Sequence, residues 1–363
     1  MKPAFHPLLL LALALAAVFL PATARAFDTD YKESINGTRL HFRVRGADAK
    51  NPYLLILHGG PGLSAHMFYP WGATLEKSVN VVYLDQRGCG ESERLKFASP
   101  LMPTAAETKG YTIKTLLADI EGVRRFLRVR KWYVLGHSWG GMLGLEYVTA
   151  YPDAAAGFID VDGLLSEPMA QEAIITFADK QVRTDLKSTD AGAKARGMRL
   201  QTFLPYAHKL APGKERFFSA MQFALALFGE MYYADAKIGV AANAKMANVL
   251  KEYNLPLTAI TPANEPPLAL LATEHFATRD DTPLLAKVRC KTLVVGGEQD
   301  RLIPPATARI VQKGIPGATL LLLPHCGHFP FAEQPAAFTK AVLGFVTSPG
   351  SQPAPKLPRG AVQ

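Results

Sequence analysis

Apolar runs of strand length recur along this chain of 363 residues, and they constrain its fold more than any other feature. They are YLLIL from Tyr53, VNVVYL from Val79, WYVLG from Trp132, GFIDV from Gly157, TLVVGG from Thr292 and TLLLL from Thr319. None alternates apolar with polar residues, which is the pattern of strands covered on both faces. Helical periodicity lies between them. Ile113, Leu116, Leu117, Ile120, Val123, Phe126 and Leu127 recur at three- and four-residue steps and form one buried stripe, with Thr112 placed to cap it. A second helix is expected from Ser138 to about Ala150, closed by Pro152, and a third from about Ala336 to Val346. Strand–helix alternation predicts an α/β fold, a mostly parallel sheet with helices on both faces. LHFRVRG after Asn36-Gly37 reads as the second arm of an early hairpin, so the sheet is expected to be mixed.

The alternation stops between about Leu164 and Thr282, where Ala- and Met-rich helix-forming sequence replaces the strands. This divides the chain into a first core part at 27–163, a helical cap inserted at 164–282, and a second core part at 283–347. A ligand is expected between the cap and the carboxyl edge of the sheet.

The two ends read differently. Lys2, an uncharged run of 13 residues from Leu8 to Leu20, Pro21 and ATARA form a signal peptide over residues 1–26, cut after Ala26 or Ala24. A membrane-spanning helix needs roughly 20 apolar residues, so export to a periplasm or to the outside is expected, with no stable membrane anchor after cleavage. The 348–363 tail, SPGSQPAPKLPRGAVQ, is rich in proline, has no apolar period and is expected to be disordered.

Composition excludes several functions. At 48% hydrophobic and 20% charged, the chain is globular in type. The net charge of +9 is spread without a run of five like charges, which suits a solvated surface. Three cysteines, Cys89, Cys290 and Cys326, allow at most one disulfide, with no way to choose the pair. No C-x-x-C, H-E-x-x-H, G-x-G-x-x-G or P-loop pattern occurs, so neither a metal nor a cofactor is expected. Basic and aromatic residues do not interleave as a nucleic-acid surface would require.

The chemistry collects at strand ends. VLGHSWGG contains Gly136, Ser138 and Gly140 as G-x-S-x-G, after a strand and before a helix, the setting of a nucleophile elbow. The helix N-terminus behind Ser138 favours developing negative charge. A serine nucleophile needs a base, and the base an orienting acid. Asp300, directly after a strand in VVGGEQD, and His328, ending LPHCGH, are the candidates; Glu298 is the rival acid and His325 the rival base. His137 is expected to pack or hydrogen-bond beneath the elbow. The backbone N–H groups of Gly60, in LHGGPG, and Trp139 are the expected oxyanion donors. Asp85, Arg87 and Gly88 are expected to fix a loop. Cys89 and Cys326 could border the site, and neither sits on an elbow as a nucleophile would.

HGGPG, DQRGCGES (Asp85 to Ser92), ADIEGVRRFL (Ala118 to Leu127), GHSWGG, GGEQD and GHFPF together resemble the proline iminopeptidase family. The resemblance covers about residues 50–150 and 283–346. It implies the α/β-hydrolase fold, with the nucleophile, acid and base in the order Ser138, Asp300, His328. It also implies an aminopeptidase or amino-acid amidase acting on a peptide or small amide or ester. Many family members carry GGS where this chain has GHS, and broader amidase relatives are also similar. An esterase or lactonase with the same triad is the alternative. The lid stretch FALALFGEMYYAD resembles a family segment whose glutamate holds the substrate amine, and the matching residue is Glu230.

Overall fold

The computed structural model describes residues 27–98, 103–255 and 263–348. Residues 1–26, expected to be a signal peptide, and the tail beyond 348 lie outside the described residues. Eight strands form one sheet: β1 (Phe27–Ile35), β2 (Thr38–Gly46), β3 (Tyr53–Leu57), β4 (Asn80–Leu84), β5 (Trp132–His137), β6 (Ala155–Val161), β7 (Thr292–Gly297) and β8 (Thr319–Leu323). Their order is β1-β2-β4-β3-β5-β6-β7-β8. The pairs β1–β2 and β2–β4 are antiparallel and all others are parallel, so the sheet is mixed. Asn36 and Gly37, at φ of 50° and 75°, make the two-residue hairpin turn.

The missing alternation in the apolar runs has a direct cause. Every residue of β3, β4, β5 and β7 is buried. Leu55, Leu57, Val82 and Val134 pack on one face of the sheet, and their neighbours Leu54, Ile56, Val81 and Leu135 on the other. The first face is covered by α1 (Ile113–Phe126), α2 (Trp139–Ala150) and residues of the helix Pro305–Gly314; the second by the helix Pro335–Val346 through Phe338, Val342 and Val346. Thr112 caps α1 by accepting from the Thr115 N–H at 3.2 Å. Exposed positions are confined to β1, β2 and β8, at the two sides of the sheet.

Between β6 and β7 the chain forms helices: α3 (Glu167–Leu186), α4 (Ala191–Gln201), α5 (Leu204–Lys209), α6 (Lys214–Ala226), α7 (Phe228–Tyr232), α8 (Ala236–Glu252) and α9 (Glu265–Thr273). Residues of α3, α6 and α7 face the carboxyl ends of the strands, where they line cavities with Gly60 and Phe329. After β7 come α10 (Pro305–Gly314), β8 and α11 (Pro335–Val346). Among the described residues no helix is long and apolar enough to cross a membrane.

Candidate active site

Ser138 sits between β5 and α2 at φ 56° and ψ −123°, a conformation that costs a non-glycine residue energy. Its surroundings hold it there. The Ser138 N–H donates to Val161 O at 3.1 Å, and the Ser138 carbonyl accepts from Gly141 at 2.8 Å and Leu164 at 2.9 Å. The two motif glycines are sterically required. A Cβ on Gly136 would stand 2.1 Å from the Gly140 carbonyl oxygen, and one on Gly140 would stand 2.1 Å from that of Leu57. The turn that presents the hydroxyl is therefore open only to G-x-S-x-G.

Asp300 and His328 meet behind it. Asp300 Oδ2 lies 2.7 Å from His328 Nδ1, and both residues are buried. Asp300 Oδ1 accepts from the Leu302 and Ile303 N–H groups at 2.8 and 3.0 Å, which fixes the carboxylate plane. With Nδ1 occupied, Nε2 is the nitrogen left to His328 for other work. Ser138 and His328 line the same cavity of about 100 Å³, together with Gly60 and His137. The rival residues are elsewhere. Glu298 is exposed after β7, and His325 is exposed at φ 51°.

The backbone around His328 is tied from three sides. Its N–H donates to Tyr232 O at 2.7 Å, and its carbonyl accepts from His137 Nε2 at 2.8 Å. Glu333 accepts from the N–H groups of Gly327 and Phe329 with one oxygen, and from Ala234 of the α7–α8 turn with the other. One carboxylate thus fastens the histidine loop to the inserted helices. Burial pushes His137 well below the ordinary imidazole range. It is a neutral ring that donates through Nε2, packed under the elbow rather than poised as a base.

Gly60 lines the cavity from the β3 side at φ 120°. Trp139 is the first residue of α2, so its N–H has no helical carbonyl one turn back. The Trp139 indole donates to Gln86 Oε1 at 2.8 Å, and Gln86 Nε2 donates to His58 O at 2.9 Å. Gln86 thereby holds the elbow and the HGGPG loop together. Arg87 pairs with buried Asp119 at 2.8 Å, and Asp85 accepts from Ala65 and Glu91 N–H groups, so DQRG is a fastened loop.

The structure does not bring Glu230 to the cavity. Its carboxylate pairs with Arg196 at 2.7 Å and lines neither cavity described here. The reason is helical phase: at 3.6 residues per turn, residues two apart point about 200° apart. Tyr232, two positions on, is the α7 residue that lines the cavity of Ser138, and its ring stands 5.5 Å from the His328 ring, edge to face.

A different carboxyl group shares the cavity of Ser138. Glu167, the first residue of α3, lines the cavity, is 6% exposed and makes no salt bridge among the described residues. Burial raises its carboxyl to about 8. The signal for it in sequence is modest: SEP shortly after β6, a carboxylate at the sheet's carboxyl edge beside a helix-starting proline.

All three cysteines are free; Cys89 and Cys326 are buried, and burial pushes both thiols up. Two clusters bring three potential metal-ligating atoms within 4.8 Å: His41, His66 and Asp85, and Asp162, Asp300 and His328. Each contains a histidine–carboxylate contact of 2.8 or 2.7 Å. Two ligands of one zinc ion, each about 2.0–2.2 Å from it, stand about 3.3 Å apart. These gaps fit a shared proton. Asp162 adds a neutral neighbour to Asp300, since burial and the Asp300 charge push its carboxyl well up.

A family model described as alpha/beta hydrolase fold matches residues 52–335. The chain is similar to a proline iminopeptidase of Lactobacillus delbrueckii subsp. bulgaricus, with 26% identity over 84% of this chain and 93% of that protein. Among solved structures it is similar to a proline iminopeptidase-related protein of Thermus thermophilus, with a TM-score of 0.66, 22% identity, 87% of this chain and 96% of that one. It is also similar to an enol-lactonase of Burkholderia xenovorans, with a TM-score of 0.59, 21% identity, 87% of this chain and 99% of that one. The sheet order, the strained elbow and the family match agree: this chain belongs to the alpha/beta hydrolase fold family and is a serine hydrolase of it.

Proposed function

We propose that this chain is an exported serine aminopeptidase, one that releases the first residue from substrates with a free amino terminus. Ser138 Oγ attacks the carbonyl of that residue. His328 Nε2 takes the hydroxyl proton and returns it to the leaving amine. Asp300 holds the ring through Nδ1 and stabilises its charged form. The N–H groups of Gly60 and Trp139 receive the oxyanion. Water, activated by His328, then hydrolyses the acyl-enzyme. Residues 1–26 serve as the export signal and are removed.

The observation that carries the reading is Glu167: a buried carboxyl in the cavity of Ser138 with no salt bridge among the described residues. A substrate ammonium supplies the missing charge, and low local polarity strengthens the pair. The similarity to proteins named proline iminopeptidase makes proline the first candidate for the released residue. The enol-lactonase neighbour keeps an esterase or lactonase as the second reading, since the same triad serves both.

The amine decides between them. Prolyl and alanyl arylamides are compared with their N-acetyl forms and with p-nitrophenyl acetate. Acetylation is expected to lower kcat/KM on the order of 10²-fold or more, the scale for leaving a buried charge unpaired. Glu167→Gln should reproduce that loss on free-amine substrates alone. The wild-type rate on those substrates should fall as pH drops below about 8, where the Glu167 carboxyl protonates, and the variant should lack that dependence. Equal turnover of free and acetylated substrates would leave the esterase reading in its place.

A further inference from the structure

A second, larger cavity of about 600 Å³ adjoins the one that holds Ser138. Gly60, Leu63, Met221, Tyr232 and Phe329 line both, so the two adjoin at the proposed oxyanion loop. Their linings differ in kind. The small one carries Glu167, His137 and His328. The large one is walled by Met67, Trp71, Phe217, Met246, Leu268 and Phe331, and no Asp, Glu, Lys, Arg or His among the described residues lines it. Its rim includes Phe218, Leu225 and Phe228, which are 46%, 70% and 38% exposed although large and apolar. Its volume falls inside the range of small-molecule sites, roughly 300–1,000 Å³. Three of its residues, Met67, Met221 and Met246, are methionines, whose unbranched side chains adapt to varied shapes.

Resting on the aminopeptidase reading, we propose that the large cavity binds the leaving group, and that this group is a bulky or long-chain apolar amine. With the amine of the first residue held at Glu167 and its carbonyl at Ser138, the scissile bond points the remainder of the substrate past Gly60 and Tyr232. That remainder meets walls that are mostly apolar, with Ser64, Asn243 and Asn264 as neutral polar members and no charged side chain among the described residues. A short polar peptide would bury its terminal carboxylate there without a cation, at a cost that apolar contact does not offset. A long alkyl or aromatic amine would remove both its own surface and the cavity's from water.

The test is a chain-length series: prolyl n-alkylamides from ethyl to dodecyl, with n-alkyl acetates of the same lengths as a series lacking the amine. kcat/KM is expected to rise on the order of two- to fourfold per methylene, the upper value being full transfer out of water, and then to level off. Leu225→Lys, at a position exposed enough to carry a charge, should lower the decyl-to-ethyl ratio at least tenfold, with circular dichroism unchanged. A rise in the acetates with no turnover of the amides would retire the amine reading and keep the apolar leaving-group site. A series flat with chain length, in amides that are turned over or in acetates, would overturn the site itself.

Discussion

Two buried histidine–carboxylate pairs stand at the carboxyl edge of the sheet, and their geometry is nearly the same. In one, His41 Nδ1 lies 2.8 Å from Asp85 Oδ2; in the other, His328 Nδ1 lies 2.7 Å from Asp300 Oδ2. The difference lies at the other ring nitrogen. His41 Nε2 meets Asp30 at 2.6 Å, so both nitrogens face carboxylates. Burial alone would push His41 down, but Asp30 and Asp85 outweigh it and raise the ring to about 10. It is a fixed cation with no lone pair to offer. His328 has one carboxylate, and its ring lines the cavity of Ser138. One pair is a clasp between β1, β2 and the loop after β4; the other retains a nitrogen for chemistry. A short histidine–carboxylate distance therefore does not mark a catalytic pair; what the second nitrogen meets does.

The largest expected effect separates the two rings. His328→Ala should lower kcat on the order of 10⁶-fold, the scale seen when one member of a triad is removed, with little change in melting temperature. His41→Ala should do the converse. It leaves Asp85 buried without its cation, which costs about 3–5 kcal/mol of stability by denaturant unfolding. Activity of the folded fraction should stay within a few-fold. If His41→Ala abolished turnover while leaving stability intact, the division of roles would be reversed.

The same pair sets a pH dependence. The folded pKa of His41 is raised from 6.5 to about 10, so its stabilisation is complete below about 6.5 and is lost as pH rises through about 10. The wild-type protein should lose stability over that window more steeply than His41→Ala. Parallel curves for the two would contradict the clasp.

A smaller effect concerns Glu167. Its folded pKa of about 8 lies above the ordinary 4.5, so the neutral form stabilises the fold at low pH and that contribution is lost as pH rises to about 8. Glu167→Gln keeps the shape without the charge. It should raise the melting temperature by a few degrees at pH 9 and leave it unchanged at pH 4. Equal melting temperatures at pH 9 would show that the carboxyl is not held out of water.

How much of this could be read from sequence depended on how local each feature is. Gly136, Ser138 and Gly140 lie within five residues, and their signature is a steric rule of one turn. Asp300 and His328 follow directly on β7 and β8, so recognising the strands was enough to place both at one edge. Tyr232 and Glu167 were harder. The sequence marks the α7 segment, but a five-residue helix has no apolar period from which to set its inward face, and Glu230 turns toward Arg196. Glu167 depends on how α3 leaves β6, which no local pattern fixes. The His41–Asp85–Asp30 clasp depends on strand pairing: Asp30 is on β1, and β2 pairs with β4 so that Phe42 lies opposite Leu84. Glu333 fastens the inserted helices to the histidine loop through backbone groups, which leave no mark in the sequence.

The central claim is that Ser138 is a nucleophile activated by His328 and not by His41. Labelling with a fluorophosphonate, read by intact-mass and peptide mass spectrometry, tests it directly. Wild type and His41→Ala should each take up one label at Ser138, and His328→Ala should react on the order of 10³-fold more slowly or not at all. An unlabelled wild-type protein, or equal labelling rates for His328→Ala and wild type, would contradict it.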